Sequence, residues 1–136
     1  MIKVRQACLW IIALHAISAI VHNQAHNKIE VSLSTSQNAF ATIVIVIAPL
    51  LAAVFIWRNR QRLGAIILVV SMLASFIFGV VNHLMIDSPD QLAHISSNGW
   101  GRIFIVTAYA LMITELAGVL AGTSLFRSSG TKKSAV

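Results

Sequence analysis

Four stretches of this chain are each long and apolar enough to cross a lipid bilayer, and this feature limits the fold more than any other. A membrane-spanning helix needs roughly 20 mostly apolar residues, since each adds about 1.5 Å across a hydrocarbon core about 30 Å thick. The predicted spans cover residues 7–26, 40–57, 63–86 and 103–126. Because helices satisfy their own backbone hydrogen bonds in lipid, we predict an all-α membrane protein. Residues 1–136 then form a single four-helix transmembrane domain, an up-down-up-down bundle.

Composition excludes the other broad classes of protein. Hydrophobic residues make up 57% of the chain and charged residues 10%, whereas a soluble domain has about 25% charged residues. The same values exclude a disordered chain, which needs low hydrophobicity and high charge. The only cysteine, Cys8, permits neither an internal disulfide nor a zinc site built from several thiolates.

The lysines and arginines predict an orientation in the membrane. Eight of the ten lie beside the same ends of the spans: Lys3, Arg5, Arg58, Arg60, Arg62, Arg127, Lys132 and Lys133. Only Lys28 and Arg102 lie on the other side. The positive-inside rule therefore predicts a multi-pass protein of the cell (inner) membrane with both termini in the cytoplasm. Residues 127–136 are expected to form a flexible basic cytoplasmic tail.

The loop between the second and third spans is the most basic segment. Arg58, Arg60 and Arg62 lie within five residues, between two apolar spans. This placement suits the phosphates of anionic lipids better than a nucleic-acid groove. We expect the lipid bilayer, and no nucleic acid, to be the partner of this loop.

Two prolines suggest local features. Pro49 lies in the middle of the second span and is expected to kink it. The segment from Ser88 to Gln91 has a helix-capping pattern, with Pro89 at the first helical position. We therefore predict a short surface helix from Pro89 to about Ile95, in the outer loop between the third and fourth spans.

Small residues recur at steps of four on two spans. Gly118 and Gly122 share one face of the fourth span, and Ser71, Ser75 and Gly79 share one face of the third. Such faces let helix backbones approach closely. The simplest interpretation is packing within the bundle, and the alternative is a homodimer or a larger membrane complex.

The histidines are the main candidates for a functional site. His22 and His26 are four residues apart on the first span, and His26 and His83 each lie about 30 Å above the cytoplasmic edge. Asp90 and His94 follow in the adjacent outer loop. These residue types suit a transition metal ion (zinc, copper, iron or nickel) or haem b. The alternative is that these side chains only contact lipid headgroups and water.

A second polar pair is predicted deeper in the bundle. Glu115 is the only acidic residue inside a span, about 16 Å above the cytoplasmic edge, and His15 lies about 14 Å above it. An ionisable residue at this depth suggests a functional site. The alternative is a structural pair that joins the first and fourth spans.

These features support three functional hypotheses. The leading hypothesis is a small membrane protein that binds a metal ion or haem for transport, storage or delivery. The first alternative is a non-catalytic accessory or assembly subunit, and the second is a small proton-coupled transporter that uses Glu115. Asn23 stands where an HExxH metalloprotease has its glutamate, and no other common catalytic motif is present. We therefore expect a protein other than an enzyme.

Overall fold

The computed structural model describes residues 2–130, and within them four long helices dominate. Helices 1 to 4 cover Ile2–Lys28, Thr35–Trp57, Gln61–Met85 and Gly99–Gly130. All four are long and apolar enough to cross a membrane, and no strand occurs between residues 2 and 130. For these residues, the prediction of an all-helical chain with four helices long and apolar enough to span a membrane is confirmed.

Helix 2 begins earlier than its apolar stretch suggested. We predicted a start at Phe40, and the helix begins at Thr35. The Ser34 hydroxyl accepts a hydrogen bond from the Gln37 backbone N–H at 3.3 Å, and the Gln37 side chain accepts from the Ser34 N–H at 2.8 Å. This capping box stabilises a polar first turn that hydropathy alone does not detect.

Helix 4 also extends beyond its predicted bounds, 103–126. It begins at Gly99 and continues to Gly130, so residues 127–130 are helical. The remainder of the predicted flexible tail, 131–136, lies outside the described residues.

Two segments of wide, π-helical turns interrupt the regular helices. The first, Ala41–Ile47, lies just before Pro49, and the Ala48 N–H donates to the carbonyl of Ile43, five residues earlier. A proline ring crowds the carbonyl four residues before it, and a wider turn accommodates the ring. The second segment, Val81–Met85, ends helix 3.

The predicted surface helix from Pro89 to Ile95 is wrong. A single 3₁₀ turn, Leu92–His94, forms instead. The carbonyl of Ser88 accepts hydrogen bonds from the Gln91 N–H and from the His94 ring, and the carbonyl of Asp90 accepts from the His83 ring. Gln91 and Ile95, on either side of this turn, have extended backbone (ψ 129° and 128°), so a regular helix does not continue through the segment.

Helix 4 lies at the centre of the packing, along helices 1 and 3, while helix 2 packs mainly against helix 3. A Cβ atom added at Gly118 would lie 2.8 Å from Met72 Cγ, and one at Gly122 would lie 2.8 Å from Val69 Cγ2. These glycines therefore permit the close approach of helices 3 and 4 within one chain.

The basic segments meet at one end of the bundle. The Arg5 guanidinium donates to the Trp57 carbonyl at 2.7 Å and to Asn59 Oδ1 at 3.1 Å. The Arg62 guanidinium lies 5.0 Å from the centre of the Phe126 ring. The start of helix 1, the loop between helices 2 and 3, the first turn of helix 3 and the end of helix 4 thus lie together.

Candidate metal centre

Three buried histidines meet at the end of the bundle opposite the basic loop. His22, His26 and His83 are each 7% exposed, and one ring nitrogen of each lies within 4.8 Å of the others. In a tetrahedral zinc site with bonds of about 2.0–2.1 Å, ligand atoms lie about 3.4 Å apart. Small side-chain rotations would therefore bring the three nitrogens to a common ion.

The local backbone explains why the three rings converge. His22 and His26 lie on successive turns of helix 1, so their rings point in the same direction, with centroids 4.9 Å apart. His83 lies in the π-helical end of helix 3, and its ring centroid is 5.2 Å from that of His22. Single wide turns of this kind occur frequently at functional sites.

Asp90 comes from the outer loop and joins the same cluster. Its Oδ1 lies 3.5 Å from His26 Nε2, and its Oδ2 lies 3.4 Å from His83 Nδ1. The residue is only 5% exposed. The arrangement therefore adds a buried carboxylate to three imidazoles, a donor set that suits zinc and other divalent transition metals.

Backbone carbonyls fix the hydrogen position on two of the rings. His26 Nδ1 lies 3.1 Å from the Val31 carbonyl oxygen, and His83 Nδ1 lies 3.0 Å from that of Asp90. A carbonyl can only accept, so each Nδ1 carries the hydrogen and donates it. In the neutral ring, Nε2 then carries the free lone pair.

A hydroxyl has the same effect on the third ring. His22 Nδ1 lies 2.9 Å from Thr107 Oγ1. That hydroxyl donates its hydrogen to the carbonyl of Ile103 at 2.7 Å, so it accepts from His22. All three Nδ1 atoms therefore donate to a neighbouring oxygen. A histidine that binds a metal ion through one ring nitrogen usually donates from the other in this way.

Several polar atoms of the cluster have no hydrogen-bond partner. His22 Nε2 and both carboxylate oxygens of Asp90 are buried and unpartnered. A buried polar group without a partner costs about 1–3 kcal/mol, and a charged group costs more. A cation between these atoms would satisfy the lone pairs and neutralise the carboxylate.

Phe104 on helix 4 forms the apolar wall of the cluster. Its ring centroid lies 4.5 Å from that of His22, 4.7 Å from that of His26 and 5.4 Å from that of His83. Phe104 is fully buried. It therefore holds all three imidazoles and limits the space beside them.

The other predicted site residues lie elsewhere. The His94 ring is half exposed, with Nδ1 2.9 Å from the Ser88 carbonyl oxygen and Nε2 3.5 Å from Asp87 Oδ1. Deeper in the bundle, His15 Nε2 lies 3.4 Å from Glu115 Oε1, and both residues are buried. The structure thus brings His22, His26, His83 and Asp90 together and leaves His94 outside the cluster.

Comparison with known proteins gave no match to a family model, to a curated protein or to a solved structure. The sequence did not reveal four of the site's contacts: the carbonyls of Val31 and Asp90, the Thr107 hydroxyl at His22 and the Phe104 wall. One signal could have revealed the Thr107 contact: Thr107 lies on the fourth span at a depth close to that of His22 on the first.

Proposed function

We propose that this chain is a multi-pass protein of the cell membrane that binds one transition metal ion for transport, storage or delivery. The ligands are His22, His26, His83 and Asp90. The observation that carries this proposal is the orientation of the rings. Three buried imidazoles donate from Nδ1 to a neighbouring oxygen, as metal ligands usually do, and one ring nitrogen of each lies within 4.8 Å of the others.

The donor set favours a bare ion of the zinc, copper, iron or nickel group. Imidazole suits all four metals, and thiolate, which would select copper(I) or an iron–sulfur cluster, is absent from the cluster among the described residues. Haem b fits less well, because the buried Phe104 ring packs against all three imidazoles and takes up space beside them. Three nitrogens and one carboxylate oxygen best suit four-coordinate zinc.

The charge distribution supports a location of the site on the outer side. The basic loop and the described ends of helices 1 and 4 meet at one end of the bundle, and the histidines lie at the other. By the positive-inside rule, the basic end is cytoplasmic. The metal ion is then bound near the outer surface, where it can be received from or released to the extracytoplasmic space.

Metal analysis of the purified protein tests the proposal. Wild-type protein, a His22→Ala/His26→Ala/His83→Ala variant and a His94→Ala control are purified in detergent and dialysed against buffered zinc. We expect one ion per chain in wild type and in the control, and none in the triple variant. Equal metal content in all three would contradict the proposal and favour a non-catalytic accessory subunit.

A further inference from the structure

A cavity of about 340 Å³ lies inside the bundle and extends from the histidine cluster to Glu115. This volume falls at the lower end of the range for small-molecule binding sites. Its inner half is walled mainly by apolar side chains, among them Ile45, Phe78 and Met112. The proposed metal ligands His22, His26, His83 and Asp90 line the same cavity, and the inner half is the part around Ser75, Gly79 and Glu115.

Two polar atoms at the inner end of this cavity have no hydrogen-bond partner. Ser75 Oγ and Glu115 Oε2 are both buried and unpartnered, and both residues line the cavity. Ser71, one turn earlier on helix 3, differs, since its hydroxyl donates to the Leu68 carbonyl at 3.2 Å. A serine in a helix can thus donate to a backbone carbonyl of the preceding turn, yet the Ser75 hydroxyl makes no such bond. These two atoms require a partner that the chain itself does not supply.

Gly79 leaves space in the same cavity. A Cβ atom there would have Met112 Cε as its nearest neighbour, at 3.9 Å, which is an ordinary contact. Gly118 and Gly122 are different, because a Cβ there would lie 2.8 Å from another side chain. Glycine inside a helix costs about 1 kcal/mol relative to alanine. Close helix packing does not account for a glycine at position 79, because a Cβ atom would fit there. The absence of a side chain instead keeps the cavity open.

The cavity reaches the lipid-facing surface between helices 1 and 2. Ile20 on helix 1 is 64% exposed and Val46 on helix 2 is 41% exposed, and both line it. Helix 1 packs mainly along helix 4 and contacts helix 2 much less. On helix 2, the wall at this level is the π-helical segment Ala41–Ile47. A molecule dissolved in the bilayer can therefore enter from the side.

We propose that the inner half of this cavity binds a neutral, lipid-soluble molecule whose head carries a carbonyl or hydroxyl oxygen. Ser75 Oγ donates to this oxygen, and a hydroxyl head donates in turn to Glu115 Oε2. The apolar part of the molecule extends towards the lipid between Ile20 and Val46. A neutral molecule is required because a charge is costly to bring through the hydrocarbon core. A long-chain alcohol can bond both atoms, whereas the carbonyl of a quinone accepts from Ser75 Oγ alone. The proposal does not depend on a metal ion at the histidines.

Photolabelling in proteoliposomes tests this site. Three probes of similar length are used: an azidoquinone with a decyl chain, a long-chain alcohol with a diazirine, and a diazirine alkane without oxygen. Labelled residues are mapped by mass spectrometry in wild type, Ser75→Ala, Gly79→Leu and the matched control Ser71→Ala. Thermal unfolding and metal content are measured on each sample, so that misfolding and loss of metal are recognised separately.

We expect an oxygen-bearing probe to label the walls at Ile45, Phe78 or Met112, and the alkane to label these positions weakly. Labelling should fall about tenfold in Ser75→Ala, as expected for one lost hydrogen bond, and should be unchanged in Ser71→Ala. Gly79→Leu should abolish it by filling the cavity. The quinone and the alcohol, compared in wild type, identify which head is preferred. Labelling of lipid-facing residues alone, equal in all variants, would overturn the proposal and indicate a cavity filled with water.

Discussion

Oδ1 of Asp90 lies 3.5 Å from Nε2 of His26, although the two residues come from a loop and a helix that are 64 positions apart. Because the Val31 carbonyl already accepts from His26 Nδ1, Nε2 faces the carboxylate with its lone pair when the ring is neutral. Two electron-rich atoms at this distance require a proton or a cation between them. The proposed metal ion supplies the positive charge.

Asp90→Asn should weaken metal binding by at least about tenfold, since it removes the buried negative charge but keeps the shape of the side chain. The matched control is Asp87→Asn, because the Asp87 side chain is 93% exposed and lies beside His94, outside the cluster. Competition with a chelator of known affinity measures the effect. An equal loss of metal affinity in both variants would show that Asp90 acts through the total negative charge of the outer loop and not as a ligand.

Thr107→Val should weaken metal binding about 10- to 100-fold, because it removes the oxygen that accepts from His22 Nδ1 and orients the ring. Thr114→Val is the control on the same helix, since the Thr114 hydroxyl bonds the carbonyls of Ala110 and Leu111. The same chelator competition compares the two variants. If Thr107→Val binds the metal as tightly as wild type does, the hydrogen bond to Thr107 does not orient the His22 ring for metal binding.

Glu115→Leu alone should destabilise the fold by about 3 kcal/mol, because it leaves His15 buried without its partner. The double variant His15→Leu/Glu115→Leu should recover most of this loss, since apolar packing replaces a buried polar pair well. Reversible unfolding in mixed micelles measures both free energies. A double variant as unstable as the sum of the two single variants would show that these residues do not act as a pair.

Reporter fusions test the orientation. A reporter after the last residue and one inserted at Gln61 should both indicate cytoplasm, and one at Ser96 should indicate the outer side, because cations cluster at one end of the bundle. A fusion at Ser96 that reports cytoplasm would place the histidine cluster on the inner side of the membrane.

The four helices could be predicted because hydropathy over about 20 residues is a strong signal in a membrane protein. The start of helix 2 could not be predicted from hydropathy, since its first turn is polar and depends on the Ser34 capping box. The same kind of capping pattern at Ser88 predicted a helix that does not form. There, the backbone is extended at Gln91 and Ile95, and the His83 and His94 rings bond the carbonyls of an irregular loop.

For the site, residue depth along straight helices correctly placed His26 and His83 at one level, where their ring centroids lie 6.3 Å apart. Residue depth did not show that Asp90 joins the cluster while His94 stays outside it. Both residues belong to an irregular loop whose path depends on its own hydrogen bonds. Nor could residue depth reveal the orientation of a ring. That depends on single neighbouring atoms, such as the Val31 carbonyl, which no periodicity encodes.

X-ray absorption spectroscopy of the zinc-loaded protein examines the proposed coordination directly. The site predicts three imidazole nitrogens at about 2.0–2.1 Å and one carboxylate oxygen at about 2.0–2.2 Å from the metal. The multiple-scattering pattern of imidazole should match three rings in wild type and fewer in His26→Ala. A spectrum of oxygen ligands alone, with no imidazole scattering, would contradict a metal centre at His22, His26 and His83.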